Sequence, residues 1–347
     1  MVHKIEIDEF VQLVGVHPLF DVRSPSEYGH AHIPDAHSLP LFSDEERKVV
    51  GTAYKQQNRE TAIKIGLDHF GPKMRTMVEE VERIVSAGGN GSKTILVHCW
   101  RGGMRSGAVA WLLDLYGFKV YTLAGGYKAF RNWVLEQFAK PYQLNILGGY
   151  TGAGKTEVLH ELKRKGERVV DLEDLAGHKG SAFGGIGLQQ PTAEMFENKL
   201  ALALHALAAT GDEQIWVENE SQRIGNINLP GAFFNTMSAA PVFFIDIPFE
   251  VRLNYLVKEY GKLKKEELVN AVIRIQKRLG GLNTKNTVNA LIENDYHTAF
   301  GILLHYYDKF YAQGLADRKQ KQLPIHTYAI NEINPKAIAS QLLSVKI

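Results

Sequence analysis

The sequence predicts an α/β protein with two domains, each built on a parallel sheet. At 347 residues the chain is too long for one ordinary hydrophobic core. Short apolar strands alternate with helical segments, a pattern typical of parallel sheets covered by helices. A complete phosphate-binding loop follows a strand near the middle of the chain. We therefore expect a parallel-sheet domain at residues 1–138, a linker at 139–143, and a P-loop α/β domain with a basic helical extension at 144–347.

Composition limits the kind of protein this is. The chain is 45% hydrophobic and 22% charged with a formal net charge of +2, so any nucleic-acid or membrane-surface site must be a local patch. Its single cysteine excludes an intramolecular disulfide, as is usual in a reducing compartment. No run of residues is apolar and long enough to span a bilayer, and the first residues lack the pattern of a signal peptide. We expect a cytoplasmic protein.

The first candidate site surrounds the cysteine, Cys99. An apolar strand predicted at 94–98 ends just before it, and a glycine-containing turn then leads into a helix predicted at 108–116. Backbone amides, the positive end of the helix dipole and the charges of Arg101 and Arg105 all favour an anion at this point. We therefore predict an easily ionised, catalytic thiol with these two arginines as partners. The alternative is a buried, inert cysteine.

The second candidate site is the phosphate-binding loop at 149–156, which matches G-x-x-x-x-G-K-[ST]. A strand predicted at 144–148 precedes it and a helix predicted at 157–165 follows, which is the context that the motif requires. In such a loop the backbone amides and the lysine bind phosphate oxygens, and the threonine hydroxyl can ligate Mg²⁺. The residues predicted to bind phosphate or diphosphate are Gly149, Gly152, Gly154, Lys155 and Thr156.

Two acidic residues end predicted strands of the same domain. Glu218 closes an apolar strand at 214–218, and Asp246 closes another at 241–246. Carboxylates at this edge of a parallel sheet can hold a metal ion such as Mg²⁺ or orient a substrate. The alternative is that each carboxylate caps the element that follows it.

The helical tail of the second domain is basic. From residue 251 to 285, basic side chains outnumber acidic ones nine to three. Such a patch suits the phosphates of a nucleic acid, and nearby tyrosines are available to stack on unpaired bases. The residues predicted to make these contacts are Arg252, Lys258, Lys264, Arg274, Lys277 and Arg278. A solvated helix face is the alternative.

The first domain resembles a rhodanese domain. The resemblance rests on residues 21–23, 27–36 and 123–127, and on Cys99 at the end of a strand. It implies a parallel-sheet fold in which the loop cysteine carries a transferable chalcogen. One departure is that Arg105 lies six residues after Cys99, whereas many rhodaneses place an arginine five residues after the cysteine. The longer loop suits a larger atom or a phosphate, so a phosphatase is an alternative for this domain.

The whole chain resembles the bacterial tRNA 2-selenouridine synthase family. The resemblance spans both domains and is carried by residues 98–106, 149–156, 190–192, 196–197 and 218–225. It implies an enzyme that replaces the sulfur of wobble 2-thiouridine by selenium from selenophosphate, in tRNAs for lysine, glutamate and glutamine. It also implies that the same sulfur is geranylated from geranyl diphosphate, which makes it a better leaving group. Both donors are co-substrates, and we expect no tightly bound cofactor.

The same resemblance implies a role for each site. Cys99 would take selenium from selenophosphate as an S-selanylcysteine, while Arg101 and Arg105 stabilise the departing phosphate. Lys155 and Thr156 would hold the diphosphate of the prenyl donor. The alternatives are a rhodanese-type sulfurtransferase or phosphatase with an accessory nucleotide-binding domain, an ATP-dependent kinase, and a tRNA-binding protein without activity.

Overall fold

The structure, a computed structural model, describes residues 1–88, 92–208 and 214–344. The described residues fall into two compact units. The first unit comprises Met1–Gln137 with Glu197–Ala201, and the second comprises Phe138–Phe196 with Leu202–Ile347. The domain predicted at 144–347 includes residues 209–213 and 345–347, which lie outside the described residues. None of the described helices is long and apolar enough to cross a membrane.

The first unit is a five-stranded sheet flanked by helices. Its elements are β1 (His3–Ile5), α1 (Ile7–Leu13), β2 (Leu19–Asp21), α2 (Pro25–His30), β3 (His37–Ser38), α3 (Asp44–Gln56), α4 (Arg59–Phe70), a 3₁₀ turn (Gly71–Lys73), α5 (Met74–Ala87), β4 (Thr94–His98), α6 (Met104–Tyr116), β5 (Lys119–Leu123) and α7 (Gly126–Gln137). The strand order is β1-β5-β4-β2-β3, and every neighbouring pair is parallel. The central strand β4 is apolar because it is covered on both faces, and Ile95, Leu96 and Val97 are fully buried.

The second unit has a five-stranded sheet of its own. Its elements are β6 (Leu144–Gly149), α8 (Lys155–Arg164), β7 (Arg168–Val170), α9 (Leu172–Ala176), α10 (Ala193–Ala208), β8 (Ile215–Glu218), β9 (Arg223–Ile224), β10 (Ile227–Asn228), α11 (Gly231–Ala239), β11 (Val242–Asp246), α12 (Phe249–Tyr260), α13 (Lys265–Arg274), α14 (Gln276–Leu279), α15 (Gly281–Ile292), α16 (Tyr296–Gln320), β12 (Ile325–Ala329) and α17 (Pro335–Ser344). The strand order is β12-β11-β6-β8-β7, again parallel throughout, and β9 pairs antiparallel with β10. The predicted α/β class with parallel sheets is confirmed.

Each candidate site follows the central strand of a sheet. The loop after β4 carries Cys99, and the loop after β6 is the phosphate-binding loop. Both helices begin earlier than the sequence predicted, α6 at Met104 and α8 at Lys155. At α8 the reason is Gly154, which takes a left-handed φ of 70° and closes the loop directly before the helix.

Helices α12, α13, α15 and α16 have a hydrophobic core of their own. It includes the buried side chains Leu253, Leu268, Leu291, Phe300 and Leu304. The basic tail predicted from the sequence is therefore a packed layer of helices. The apolar faces of these helices point toward the shared core, and the charged side chains that form no ion pair point toward solvent.

Candidate functional site

Cys99 lies in a cradle of backbone amides. Only 3% of its surface is exposed, and its Sγ lies 3.2 Å from Ser106 Oγ. Burial alone would raise the pKa of the Cys99 thiol, but hydrogen bonds from the Ser106 hydroxyl and from the amides of Ser106, Gly103 and Arg101 outweigh it. The pKa of Cys99 therefore lies below its ordinary value, and the first turn of α6 stabilises a thiolate.

A second loop clamps the Cys99 loop. Tyr127 N donates to Cys99 O at 2.8 Å, and Lys128 N donates to Trp100 O at 3.0 Å. Gly126, just before them, has a φ of 61°, and a Cβ at this position would lie 2.3 Å from Cys99 O. Only glycine fits so close an approach in this conformation.

Replacing Gly126 by alanine should distort the Cys99 loop and destabilise the first unit. We expect the free energy of unfolding to fall by about 4 kcal/mol, because the overlap with Cys99 O adds to the cost of left-handed backbone. The matched control is Gly117→Ala, at a φ of 109° with no atom within 4 Å of the new Cβ, which should cost only about 1 kcal/mol. Urea denaturation measures both, and equal losses would contradict the clamp.

A buried ion pair packs against the same loop. Arg23 Nη2 donates to Asp21 Oδ2 at 2.6 Å, and both side chains are almost fully buried. The Arg23 guanidinium also lies over the Tyr127 ring, 3.8 Å from its centroid, and 5.9 Å from the ring of Trp100. In the sequence, Asp21 and Arg23 indicated only the rhodanese resemblance. The structure shows that they hold the aromatic residues on either side of the clamp.

The two arginines predicted beside the thiol are placed differently. Arg101 is exposed. Arg105 Nη1 donates to Glu27 Oε2 at 2.8 Å, and the same carboxylate oxygen lies 2.7 Å from Arg47 Nε. Burial would raise the pKa of Glu27, but Arg105 above all, with Arg47, holds it below its ordinary value. A phosphate bound at Cys99 would therefore share Arg105 with Glu27.

The phosphate-binding loop forms one wall of a cavity of about 310 Å³. Lys155 Nζ donates to Gly149 O at 3.1 Å. Burial would lower the pKa of Lys155, but Tyr311 and the carboxyls of Glu220 and Glu173 hold it above its ordinary value, so the ammonium group stays charged. The cavity is thus ready to receive an anion.

Most of the predicted phosphate-binding residues line this cavity. Gly152, Gly154, Lys155 and Thr156 do so. Gly149 instead lies beneath the loop, where a Cβ would come within 2.8 Å of Ile245 Cγ1. Its glycine is needed for close packing of neighbouring strands rather than for contact with the ligand.

Four carboxylates outside the predicted site residues also line the cavity, and two of them, Glu173 and Glu220, are close neighbours; the other two are Glu157 and Glu259. Thr156 Oγ1 donates to Glu173 Oε2 at 3.0 Å. Burial raises the pKa of Glu173, and burial together with the neighbouring Glu173 raises the pKa of Glu220 to about 8. The pair therefore shares one proton near neutral pH. The signal for Glu173 was present in the sequence, since an acidic run at 171–174 directly follows strand β7.

This pair should make the protein less stable at alkaline pH. A carboxyl whose pKa is raised on folding does not lower the free energy of unfolding at a pH below its unfolded pKa. The loss of free energy grows as the pH rises toward the folded pKa, here about 8. We expect Glu220→Gln to raise the free energy of unfolding by about 2 kcal/mol more at pH 8 than at pH 5. Denaturation at both pH values measures this. An effect of Glu220→Gln that does not change with pH would contradict the shared proton.

Glu218 and Asp246, predicted to bind a metal or orient a substrate, do not line the cavity. Glu218 is fully buried, and its Oε2 accepts a hydrogen bond from Leu172 N at 2.9 Å. It therefore caps the start of α9, a helix that precedes it in the chain, rather than the element that follows it, and burial raises its pKa well above the ordinary value. Asp246 is exposed. Within the described ranges, no group of three or more His, Cys, Asp or Glu side chains could hold a metal.

The remaining walls of the cavity combine apolar and aromatic side chains with polar ones such as Lys179 and Ser181. The apolar and aromatic side chains are Phe183, Ile186, Leu188, Leu256, Tyr260, Leu263, Tyr307 and Tyr311. The glycine-rich segment that carries Phe183 is attached to α16, because Ala182 N donates to Tyr307 Oη at 3.0 Å. A cationic loop facing apolar walls can bind a diphosphate that is joined to an apolar group.

A second cavity of about 610 Å³ adjoins the first in the same unit. The two share the lining residues Gly180, Glu220, Tyr307 and Tyr311. The second cavity adds Tyr306, Phe310, Arg278, Arg318 and Lys321. Aromatic rings beside basic side chains can hold a planar base and its phosphates.

Comparison with known proteins identifies the family. A rhodanese-like domain model matches residues 6–132, and a tRNA 2-selenouridine synthase AAA domain model matches residues 142–271. The tRNA 2-selenouridine synthase of Hydrogenovibrio crunogenus is 36% identical to this chain, over 79% of this chain and 79% of its own length. That of Pseudomonas putida strain GB-1 is 32% identical, over 88% of this chain and 89% of its own length. The chain belongs to the tRNA 2-selenouridine synthase family.

Family membership confirms the resemblance drawn from the sequence, with its rhodanese-like first part and its P-loop second part. Among solved structures, the N-terminal domain of a Clostridium difficile 630 protein described as ATP/GTP binding is 37% identical, covering 38% of this chain and 98% of that one. Its TM-score of 0.34 is too low to support an argument about fold.

In a member of this family the basic helices are the candidate surface for tRNA. Five of the six predicted residues are exposed, namely Lys258, Lys264, Arg274, Lys277 and Arg278. Arg252 is not available, because it is 3% exposed and its Nη1 and Nη2 bind the Asp308 carboxylate at 3.0 and 2.8 Å. It also donates to Thr151 O at 3.2 Å. The structure therefore corrects the prediction for Arg252, which supports the phosphate-binding loop instead.

Proposed function

We propose that this chain replaces the sulfur of wobble 2-thiouridine in tRNA by selenium, in two consecutive reactions at two sites. The first is geranylation of the sulfur from geranyl diphosphate in the second unit. The second is exchange of the geranylated sulfur for selenium from selenophosphate at Cys99. The substrates are the tRNAs for lysine, glutamate and glutamine. The observation that carries the proposal is the cavity in which a phosphate-binding loop lies beside apolar and aromatic side chains.

In the first reaction the diphosphate of geranyl diphosphate lies on the loop, and its chain lies against Ile186, Leu256 and Leu263. The thiouridine sulfur attacks the first carbon of the chain, the carbon–oxygen bond breaks, and the N3 proton of the base passes to solvent. Diphosphate then leaves with its charge stabilised by Lys155 and the loop amides.

The carboxylate pair and the adjoining cavity complete this site. Thr156, Glu173 and Glu220 offer the oxygen ligands that Mg²⁺ prefers, and the two carboxyls, whose pKa is raised, suit a cation. When bound, Mg²⁺ would neutralise charge on the diphosphate. The cavity that shares Glu220 and Tyr311 would hold the base turned out of the anticodon loop.

Electron balance fixes what Cys99 does in the second reaction. Selenium in selenophosphate is at the selenide level, so a sulfur–selenium bond could form with release of phosphate only if an oxidant removed two electrons. No oxidant is required if the Cys99 thiolate attacks phosphorus instead. The sulfur–phosphorus bond then forms, the phosphorus–selenium bond breaks, and selenide leaves. This replaces the S-selanylcysteine implied by the family resemblance.

The remaining steps follow without any change of oxidation state. Selenide attacks C2 of the base, the carbon–sulfur bond breaks, and geranylthiol leaves with a proton. Water then hydrolyses the phosphocysteine to phosphate and the free thiol. The amides of Arg101, Gly103 and Ser106 that stabilise the thiolate can also bind the phosphoryl oxygens, with Arg101 and Arg105 adding positive charge.

Mass analysis of tRNA tests the proposed function. Thiolated and unthiolated tRNA are incubated with the protein and with each donor alone or both together. We expect a geranyl adduct with geranyl diphosphate alone, exchange of sulfur for selenium with both donors, and no change in unthiolated tRNA. An unchanged mass under every condition would contradict the proposal, and in that case hydrolysis of ordinary phosphate esters without tRNA would favour the phosphatase alternative.

A further inference from the structure

The first unit carries an open apolar groove to which the reactions above assign no role. It is a cavity of about 610 Å³ formed by α3, α4 and the first turn of α6. Four large side chains that line it are well exposed: Tyr54 by 51%, Ile63 by 38%, Leu67 by 55% and Met104 by 49%. Because exposed apolar surface is unfavourable in water, four such side chains in one groove indicate a binding site.

One end of the groove lies at the start of α6, the helix that follows the Cys99 loop. Met104 and Arg105 line it, and they are the first two residues of α6. The next residue is Ser106, whose Oγ lies 3.2 Å from Cys99 Sγ. A chain attached to a base that reacts at Cys99 therefore has an apolar surface within one helical turn of the reacting atom.

The rim of the groove is basic. Arg47, Lys48, Lys55 and Arg105 line it together with the apolar side chains. Glu27 pairs with Arg47 and Arg105, while Lys48 and Lys55 are exposed on α3. An apolar floor with a cationic rim fits an apolar chain that is joined to a polyanion.

We propose that the apolar groove binds the geranyl chain of S-geranyl-2-thiouridine tRNA during selenium transfer, and then the geranylthiol that leaves. The proposal rests on the proposed function, which puts a geranylated sulfur on the base that reacts at Cys99. Binding of the chain orients C2 of the base toward selenide, and the basic rim holds the neighbouring phosphates of the anticodon loop. The carbon–sulfur bond is the only bond that breaks in this step, and the sulfur leaves with the chain already in the groove.

The test uses the full-length chain and tRNA that already carries S-geranyl-2-thiouridine. With selenophosphate, Leu67→Glu and Ile63→Glu should convert this tRNA about tenfold more slowly than wild type, because a carboxylate replaces apolar contact. Both variants should geranylate thiolated tRNA at the wild-type rate. The matched control is Leu115→Glu, a leucine of the same unit that is 70% exposed and does not line the groove, and it should not change either rate.

A second substrate separates chain binding from a general loss of activity. Wild type should convert S-geranyl tRNA faster than S-methyl tRNA, and Leu67→Glu should remove that preference. If Leu67→Glu and Leu115→Glu both retain the wild-type rate and preference, the groove does not bind the chain, although the proposed function stands. If wild type does not convert S-geranyl tRNA, the proposed function fails too. If Leu67→Glu changes only the sedimentation of the protein, the groove is a protein interface.

Discussion

Cys99→Ser should abolish selenium incorporation while leaving geranylation at the wild-type rate. The serine hydroxyl keeps the shape of the site but is not ionised at neutral pH, so the attack on selenophosphate fails. We expect a loss of about 10³-fold or more in selenium transfer. The measurement is tRNA mass with each donor in turn. Equal loss of both activities would contradict the assignment of the two reactions to two sites.

The same variant tests which atom the thiolate attacks. Wild type mixed with selenophosphate and quenched with acid should carry a phosphocysteine at Cys99, visible by phosphorus NMR, and Cys99→Ser should not. A protein adduct with the isotope pattern of selenium would show an S-selanylcysteine instead. Ser106→Ala is the graded control, because loss of its hydrogen bond raises the pKa of Cys99 and shifts the alkaline rise in selenium transfer to higher pH.

Lys155→Ala should have the opposite effect to Cys99→Ser. The charged ammonium that faces the departing diphosphate is lost, and we expect geranylation to fall by about 10² to 10³-fold. Lys163→Ala is the matched control, since Lys163 is exposed on the same helix α8 and does not line the cavity. Hydrolysis of ATP that depends on Lys155 and proceeds without tRNA would support the kinase alternative.

Local patterns were sufficient to predict much of this molecule. The apolar runs at β4 and β6, each followed by a glycine-rich loop, predicted the strands and turns that hold Cys99 and Lys155. The parallel sheets followed from the alternation of strands and helices. These features depend on residues that are close in sequence, so they can be predicted without knowledge of the tertiary contacts.

Features that depend on tertiary contacts were not predicted. Glu173 and Glu220 are 47 positions apart and meet only because α9 and the end of β8 converge on the phosphate-binding loop. The burial of Arg252 depends on Asp308, far along the chain on α16. Charge in a sequence shows neither burial nor pairing, and for this reason the sequence did not reveal that Glu218 and Arg252 are buried, whereas Lys155 lines the cavity.

If two sites act in sequence on one tRNA, a variant that lacks the first activity should still act on tRNA that has already passed the first step. Lys155→Ala is given selenophosphate together with tRNA that already carries S-geranyl-2-thiouridine. We expect selenium incorporation at close to the wild-type rate, because the step that needs Lys155 has been completed. If Lys155→Ala converts geranylated tRNA no better than it converts thiolated tRNA, the phosphate-binding loop is required for selenium transfer itself, and the two-site account is wrong.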